Sequence, residues 1–152
     1  MEARWATVDD SAELVRLRQV MFDAMGVGDD ASWQPRVLEQ HRAGLADGRF
    51  FAAVVDAPTG AGLAGGAVGM VWELLGGPGN PGRLGYIQSM ATDPEWRGRG
   101  VARSVLAHLL DGFRSRGVTR VSLHATAEGE PLYRSVGFAP PGRPELQLRL
   151  DG

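Results

Sequence analysis

The sequence has no cysteine, no long apolar run and no excess of basic residues. The lack of cysteine excludes disulfides, thiolate chemistry and cysteine-based zinc sites, and it agrees with a cytoplasmic protein. The three histidines are dispersed without paired ligand spacing, so we expect no metal site. A net charge of −2 argues against general nucleic-acid binding, which usually needs a basic excess. The N-terminal stretch MEARWATVDD has no apolar run, so we expect neither a signal peptide nor a membrane span.

The length and composition are those of one globular domain. The 152 residues are 43% hydrophobic and 22% charged, which is enough apolar content to bury a core. The 22 glycines are dispersed rather than periodic, which excludes collagen-like and linker segments. No repeat or composition break divides the chain, so we predict a single domain over residues 1–152.

Apolar periodicity and turn residues predict a mixture of strands and helices. Leu14, Leu17 and Met21 follow one another at helical spacing, and Leu146, Leu148 and Leu150 alternate with polar residues as in a strand. The predicted order is a strand at 4–6, helices at 11–25 and 33–47, strands at 49–56, 62–75 and 84–91, a helix at 101–113, a strand at 118–125, a helix at 130–136 and a final strand at 146–150. This order indicates an α/β or α+β layer fold. His41 lies on the second predicted helix and is expected at the surface.

Two glycine-rich segments are candidate anion sites. Gly77, Gly79 and Gly82 satisfy the G-x-G-x-x-G spacing, but Pro78 and Pro81 interrupt it and a strand follows instead of a helix. We therefore predict that this segment is a hairpin loop.

The second segment, EWRGRGVARSV at Glu95–Val105, places glycines and arginines where a helix begins. Glycine weakens helices, and arginine opposes the positive end of the helix dipole. A bound anion explains both the glycines and the arginines. Free N–H groups at a helix start bind anions, glycine lets the anion approach the backbone closely, and arginine offsets its charge. The segment lacks the third glycine of the dinucleotide fingerprint, since Arg103 occupies that place, and no P-loop pattern exists. A mobile basic loop capping an ordinary helix is the alternative.

Two motifs together resemble the GNAT superfamily of N-acetyltransferases. The pattern R-x-x-G-x-A at Arg97–Ala102, after a strand ending MATDPEW, is similar to the family's acetyl-CoA pyrophosphate loop. The stretch PLYRSVGF, Pro131–Phe138, resembles its second signature, a helix carrying a tyrosine followed by Gly-Phe. The two motifs cover Met90–Phe138, whereas the N-terminal third matches only in its helix count. The resemblance implies a mixed α/β (α+β) fold with a mostly antiparallel central sheet of about six to seven strands, flanked by about four helices.

The resemblance also implies how acetyl-CoA is held. The pyrophosphate is expected on the main-chain amides of the loop, and the pantetheine arm is expected beside the end of the preceding strand. The cofactor-binding residues implied are Met90, Ala91, Thr92, Arg97, Gly98, Arg99, Gly100, Val101, Ala102 and Arg103.

Tyr133 is the predicted general acid. Its ordinary pKa of about 10 lies above that of a thiol, about 8.5, so the hydroxyl stays protonated and can donate to a departing thiolate. The alternative is a tyrosine that packs a short helix on the sheet. Thr126 stands where the family often has an asparagine.

The general base is open. The strand from Leu84 to Met90 has no carboxylate, which leaves Glu73 on the preceding strand and His124 at the end of its own strand as candidates. A structural role for His124, a water chain and an amine that arrives neutral are the alternatives.

The function implied is transfer of an acetyl group from acetyl-CoA to a primary amine of a small molecule or peptide. A non-catalytic domain that binds or senses acyl-CoA is the alternative. The acceptor is expected near residues 21–35, where three aspartates (23, 29 and 30) could attract a cationic amine and Met21, Met25 and Trp33 could form apolar walls. These residues could equally cap a loop and face the core. No nucleic acid or membrane partner is expected, and a homodimer is left open.

Overall fold

The computed structural model describes residues 1–152 and is built around a five-stranded sheet. The strands are β1 (Arg4–Trp5), β2 (Phe50–Asp56), β3 (Leu63–Glu73), β4 (Arg83–Thr92) and β5 (Val121–Leu123), and the helices are α1 (Ser11–Met25), α2 (Gln34–Asp47), α3 (Val101–Ser115) and α4 (Glu130–Ser135). Neighbouring strands follow chain order and are antiparallel, except that β4 and β5 are parallel. The mixed α/β class and the four helices are confirmed, but the sheet has five strands rather than six or seven. None of the helices has the length and apolar content needed to cross a bilayer.

The predicted final strand is wrong. No strand follows α4, and Leu146, Leu148 and Leu150 are 87%, 83% and 90% exposed. Prolines at 140, 141 and 144 precede these residues, and a proline has no N–H to donate to a sheet. The available edge is also short, because β5 pairs over only three residues. Without a partner strand the alternating leucines gain no burial, so the pattern alone does not form a strand.

Helix α3 packs closely on one face of the sheet. Its residues Val105, Leu106, Leu109 and Phe113 are at most 1% exposed and recur at three- and four-residue spacing, which places them on one side of the helix. Gly85 of β4 makes room for the Phe113 ring, since a Cβ there would lie 2.8 Å from it. Burying each such side chain contributes about 1.5–3 kcal/mol to the free energy of unfolding. The helix that begins at the predicted anion site is therefore firmly held.

Helices α1 and α2 cover the opposite face. Leu14 and Leu17 of α1 pack against Val54 in a second apolar core, and Leu45 of α2 borders it. His41, one turn before Leu45, shares its face and is only 5% exposed. The expectation that His41 lies at the surface is therefore wrong, because the packed face of α2 includes it.

The glycine-rich segment after β3 is a hairpin loop, as predicted. Gly77 and Asn80 exchange main-chain hydrogen bonds of 2.8 and 3.0 Å, and Leu74 N donates to Gly82 O at 2.6 Å. The segment joins β3 to β4, and none of it borders the cleft described next.

Candidate functional site

Strands β4 and β5 separate at one end of the sheet and open a cleft. They pair only from Gly85 with Val121 to Ile87 with Leu123. Beyond that point β4 continues to Thr92 with no partner on the β5 side. A cleft of about 610 Å³ lies at this split, bordered by α1, the end of β4, the start of α3 and residues 123–133.

A bulge in β4 shapes the split. The β3–β4 register shifts between Gly66 and Val68, and Ser89 is the only non-glycine residue with a positive φ, at 60°. Such a conformation costs of order 1–3 kcal/mol and is often found at functional sites. The three residues after it, Met90–Thr92, line the cleft. No strand pairs with their β5 side, which leaves main-chain groups for an extended ligand, although Thr92 O already accepts from Arg97 Nε.

The loop before α3 forms one end of the cleft and has the features of an anion cradle. Gly98 and Gly100 have φ of 75° and 80°, and a Cβ at either would meet nothing within 4 Å. Gly100 is the N-cap, no side chain caps the helix, and the first turn has no acidic residue. The first amides of α3 therefore lack intrahelical acceptors and face open space.

Three arginines surround this loop, and none of them is in an ion pair. Arg97 Nε donates to the main-chain oxygen of Thr92 at 3.3 Å, and Arg103 Nη2 donates to Ser135 Oγ at 3.4 Å. The Arg99 guanidinium lies 5.0 Å from the centre of the Trp96 ring. With the free amides, these cations form a donor set that suits a diphosphate.

Arg16 of α1 anchors the turn that leads into the loop. Its Nη1 donates to Asp93 Oδ2 at 2.6 Å and its Nε to Glu13 Oε2 at 2.7 Å. Asp93 Oδ1 in turn accepts from Glu95 N at 3.0 Å. Sequence reasoning missed Arg16, because an arginine in an amphipathic helix gives no signal of a partner 77 residues away.

Tyr133 lines the cleft from α4. It is 7% exposed, and its ring contacts Phe138 edge-on with 5.7 Å between ring centres. Burial raises the pKa of Tyr133, so the hydroxyl is protonated at neutral pH. Thr126, in place of the family's asparagine, accepts a hydrogen bond from Gly129 N at 3.1 Å and so closes the turn before α4.

His124 also lines the cleft and is part of a chain of three polar groups. Its Nδ1 lies 2.6 Å from the Tyr86 hydroxyl and its Nε2 lies 3.1 Å from Glu145 Oε2. Burial and the charge of Glu145 raise the pKa of Tyr86, which keeps its hydroxyl a donor. The matching tautomer of neutral His124 accepts from Tyr86 at Nδ1 and donates from Nε2 to Glu145. Sequence reasoning missed Tyr86 and Glu145, which lie 38 and 21 residues from His124.

The structure does not bring Glu73, the other candidate base, to this cleft. Its side chain is 70% exposed and pairs with Arg83 at 3.0 Å.

In the predicted acceptor segment, Met21 and Met25 line the cleft and the three aspartates do not. Trp33 packs edge-on against Phe22 instead, with 5.3 Å between ring centres.

Curated proteins with similar sequences match part of this chain. Glucosamine 6-phosphate N-acetyltransferase of Trypanosoma brucei brucei is 32% identical over 68 residues, which are 45% of this chain and 44% of that protein. Mycothiol acetyltransferase of Brachybacterium faecium is 38% identical over 85 residues, 54% of this chain and 25% of that protein. The matched region thus spans less than half the length of these relatives.

Solved structures match nearly the whole chain. A GCN5-related N-acetyltransferase from Ralstonia eutropha JMP134 has a TM-score of 0.81 and 30% identity, covering 97% of both chains. A structure described as a predicted acetyltransferase with acetyl-CoA, from Clostridium acetobutylicum, has a TM-score of 0.87 at 24% identity, covering 98% of this chain and 96% of the other. The latter likeness establishes the fold.

The model of the acetyltransferase (GNAT) family matches residues 14–138, most of the chain. That range contains both motifs on which the sequence resemblance rested, and it includes the split strands and the start of α3. The chain belongs to the acetyltransferase (GNAT) family.

Proposed function

We propose that this protein transfers the acetyl group of acetyl-CoA to a primary amine of a small molecule. The observation that carries the proposal is one cleft that joins the uncapped, arginine-flanked start of α3 to the hydroxyl-bearing Tyr133. The names of the similar proteins, which include a glucosamine 6-phosphate N-acetyltransferase and a structure with acetyl-CoA, support the same chemistry.

In this proposal the diphosphate of acetyl-CoA is bound by the main-chain amides from Gly98 to Ala102, and Arg97, Arg99 and Arg103 offset its charge. The fit rests on the open glycine positions and on the absence of an acidic cap. The free edge at Met90–Thr92 binds the pantetheine arm through main-chain hydrogen bonds. The thioester supplies the acetyl group.

Tyr133 acts as the general acid. As the amine nitrogen bonds to the carbonyl carbon, the carbon–sulfur bond breaks and the sulfur needs a proton. The raised pKa of Tyr133 keeps that proton on the hydroxyl through neutral pH.

His124 accepts the proton that the amine loses. Tyr86 does not itself line the cleft, so the proton reaches Nδ1 through water and the Tyr86 hydroxyl, which gives its own proton to Nδ1 and takes one from that water. Glu145 lies 3.1 Å from the opposite ring nitrogen and favours the imidazolium by the modest amount that an exposed ion pair supplies. Glu73 has no role in this proposal, because it is exposed and paired with Arg83.

The test is transfer from acetyl-CoA to a panel of amines: glucosamine and its 6-phosphate, amino acids, polyamines and a peptide with a free N-terminus. The chain has no cysteine, so a thiol-reactive dye reads only released CoA. It also has no lysine, so acetylation of its own side-chain amines does not add to the signal. Mass spectrometry of the N-acetyl product completes the assay.

The proposal predicts thiol release that depends on an amine and yields an equal amount of N-acetyl product. His124→Gln and Glu145→Gln should lower kcat, whereas Glu39→Gln, at an exposed position of α2, should not. Saturable acetyl-CoA binding with no product from any amine would contradict transfer and favour the acyl-CoA-binding alternative.

A further inference from the structure

A second cavity, of about 220 Å³, lies behind the β4 bulge between α1, α2 and the sheet. We call it the Arg18 cavity. Its polar lining consists of Arg18, Gln40, His41, Gln88 and Ser89, its remaining walls are apolar, and no carboxylate borders it. Gln88 and Ser89 also line the cleft described above, so the two spaces adjoin at the bulge.

Arg18 is a half-buried cation without a counter-ion. Its guanidinium donates to Ser89 Oγ and lies 4.9 Å from the centre of the Phe22 ring. It takes part in none of the ion pairs of the structure. A cation removed from water is costly unless an anion pairs with it, so this guanidinium is a ready partner for one.

His41 supplies an independent observation. It is 5% exposed, and neither Nδ1 nor Nε2 has a hydrogen-bond partner. Burial and the neighbouring charge of Arg18 lower the pKa of His41, so the neutral ring offers one N–H. Buried polar atoms in folded proteins are nearly always paired, so an unpaired imidazole in the cavity wall is a polar group that the protein's own contacts leave unused.

We propose that the Arg18 cavity binds an anionic group, carboxylate or phosphate, carried by the amine acceptor. The donors that border it are Arg18, the Ser89 hydroxyl and the amides of Gln40 and Gln88, with no acid to compete, and the unpaired His41 ring lies in its wall. The volume is several times the roughly 30 Å³ that one water occupies, so it admits such a group. The inference rests on the proposed function and narrows its substrate class to amines that bear an anion.

The position of Ser89 sets the spacer between amine and anion. Ser89 borders the Arg18 cavity, and the next residue, Met90, lines only the cleft where the amine reacts. Consecutive strand residues lie about 3.4 Å apart. Because the two spaces share Gln88 and Ser89, we expect a short spacer between the amine and the anion of the acceptor.

A purely structural role for Arg18 is the competing explanation. Its bond to Ser89 could only support the residue whose φ is 60°, and its loss would then slow transfer to every acceptor alike. An anion site instead changes the preference between acceptors that differ in charge.

The test compares kcat/KM within matched acceptor pairs. β-Alanine against β-alaninamide reports on a carboxylate, and 2-aminoethyl phosphate against ethanolamine reports on a phosphate. We expect the anionic member to be preferred by about tenfold to a hundredfold in one pair, the range for hydrogen bonds to a charged group. The pair that shows the preference identifies the group.

Arg18→Gln should abolish that preference, Arg18→Lys should restore part of it, and Arg42→Gln should preserve it. Arg42 is a matched control because it is an exposed arginine next to His41 on α2. Equal rates within both pairs for the parent protein, or an equal loss for both members in Arg18→Gln, would overturn the proposal.

A binding measurement separates this proposal from the proposed function. With the protein saturated with CoA, inorganic phosphate should raise the Tm of the parent and of Arg42→Gln, relative to sodium chloride of equal ionic strength, by more than it raises that of Arg18→Gln, because the exclusion of phosphate from the surface is common to all three. If no amine is acetylated but this shift occurs, transfer fails and the anion site stands. If transfer occurs with neither the shift nor a preference within a pair, the anion site fails.

Discussion

Tyr133 has two properties that a general acid needs. It lines the cleft, and burial raises its pKa, so the proton is retained until a stronger base appears. Its ring packs against Phe138, which keeps the position of the hydroxyl defined. The place of Tyr133 beside the cleft was predictable because the residue belongs to a local sequence motif.

Replacing Tyr133 with Phe should lower kcat by about a hundredfold to ten-thousandfold, the usual contribution of a general acid. The Kd for acetyl-CoA should change little, because only one oxygen is removed and the ring packing remains. Steady-state kinetics and calorimetric titration measure the two quantities. Unchanged kcat in a folded Tyr133→Phe variant would assign the proton to water or another group.

His41 predicts a pH dependence of stability. Its folded pKa is lowered, by burial first and by Arg18 second, below the unfolded value of about 6.5. Below pH 6.5 the unfolded chain binds a proton that the folded chain resists, so the free energy of unfolding falls as pH decreases from about 6.5 to the lowered pKa and levels off below it. Above about pH 6.5 the effect vanishes. Arg18 is the only other charged residue that lines its cavity.

Urea unfolding at several pH values between about 5 and 8 measures this slope. His41→Leu cannot titrate, so its free energy of unfolding should fall less steeply below pH 6.5 than that of the parent. Identical slopes in the two proteins would show that His41 is protonated freely in the folded state.

At the scale of elements, the start of α3 and the end of β4 differ in how far the sequence predicts them. The glycines and arginines of Arg97–Ala102 predict an anion site from local sequence alone, because free amides at a helix start need no distant partner. The bulge at Ser89 was not predictable, because it arises from the β3–β4 register and its φ is unusual for serine. The Arg16–Asp93 pair was equally hidden, since it depends on tertiary packing.

The arginines around the α3 loop predict a salt dependence. Each of Arg97→Gln and Arg99→Gln should weaken acetyl-CoA binding by about twofold to fivefold at low salt, the range for exposed charge pairs. Added salt should weaken binding to the parent more than to the double variant, because it screens charges that the variant lacks. Titrations at several sodium chloride concentrations measure this. Arg42→Gln is the control, and a double variant that binds like the parent would show that both arginines only face solvent.

At the scale of the whole molecule, periodicity and turn residues predicted the four helices and the order of the elements as far as α4. Those signals are local, and the apolar faces they specify are the ones that pack. The prediction of a final strand was wrong because a strand needs a partner strand to pair with, and local alternation does not supply one. The prediction that His41 lies at the surface was wrong for a related reason, since only the packing of α2 decides which residues of that helix are buried.

The exposed tail predicts that its removal is tolerated. Deleting residues 146–152 should lower the free energy of unfolding by less than about 1 kcal/mol, because the three leucines are 83–90% exposed. Leu109→Ala, in the α3 core, should cost about 2–5 kcal/mol by comparison. Chemical denaturation measures both. A loss of several kcal/mol on truncation would mean that the leucines are buried in solution.

The most direct test of the central claim is the Kd for acetyl-CoA in two glycine variants, Gly100→Val and Gly48→Val. Both glycines have nearly the same backbone conformation, with φ of 80° and 81°, and a Cβ at either meets nothing within 4 Å. Valine therefore adds similar strain at each site, about 1–2 kcal/mol, but only Gly100 lies at the start of α3. If that start binds the diphosphate, Gly100→Val should weaken acetyl-CoA binding by on the order of a hundredfold, because hydrogen bonds to a charged group are lost. Gly48→Val should bind acetyl-CoA like the parent. Equal Kd values for the two variants would contradict the claim that acetyl-CoA is bound at the glycine–arginine loop.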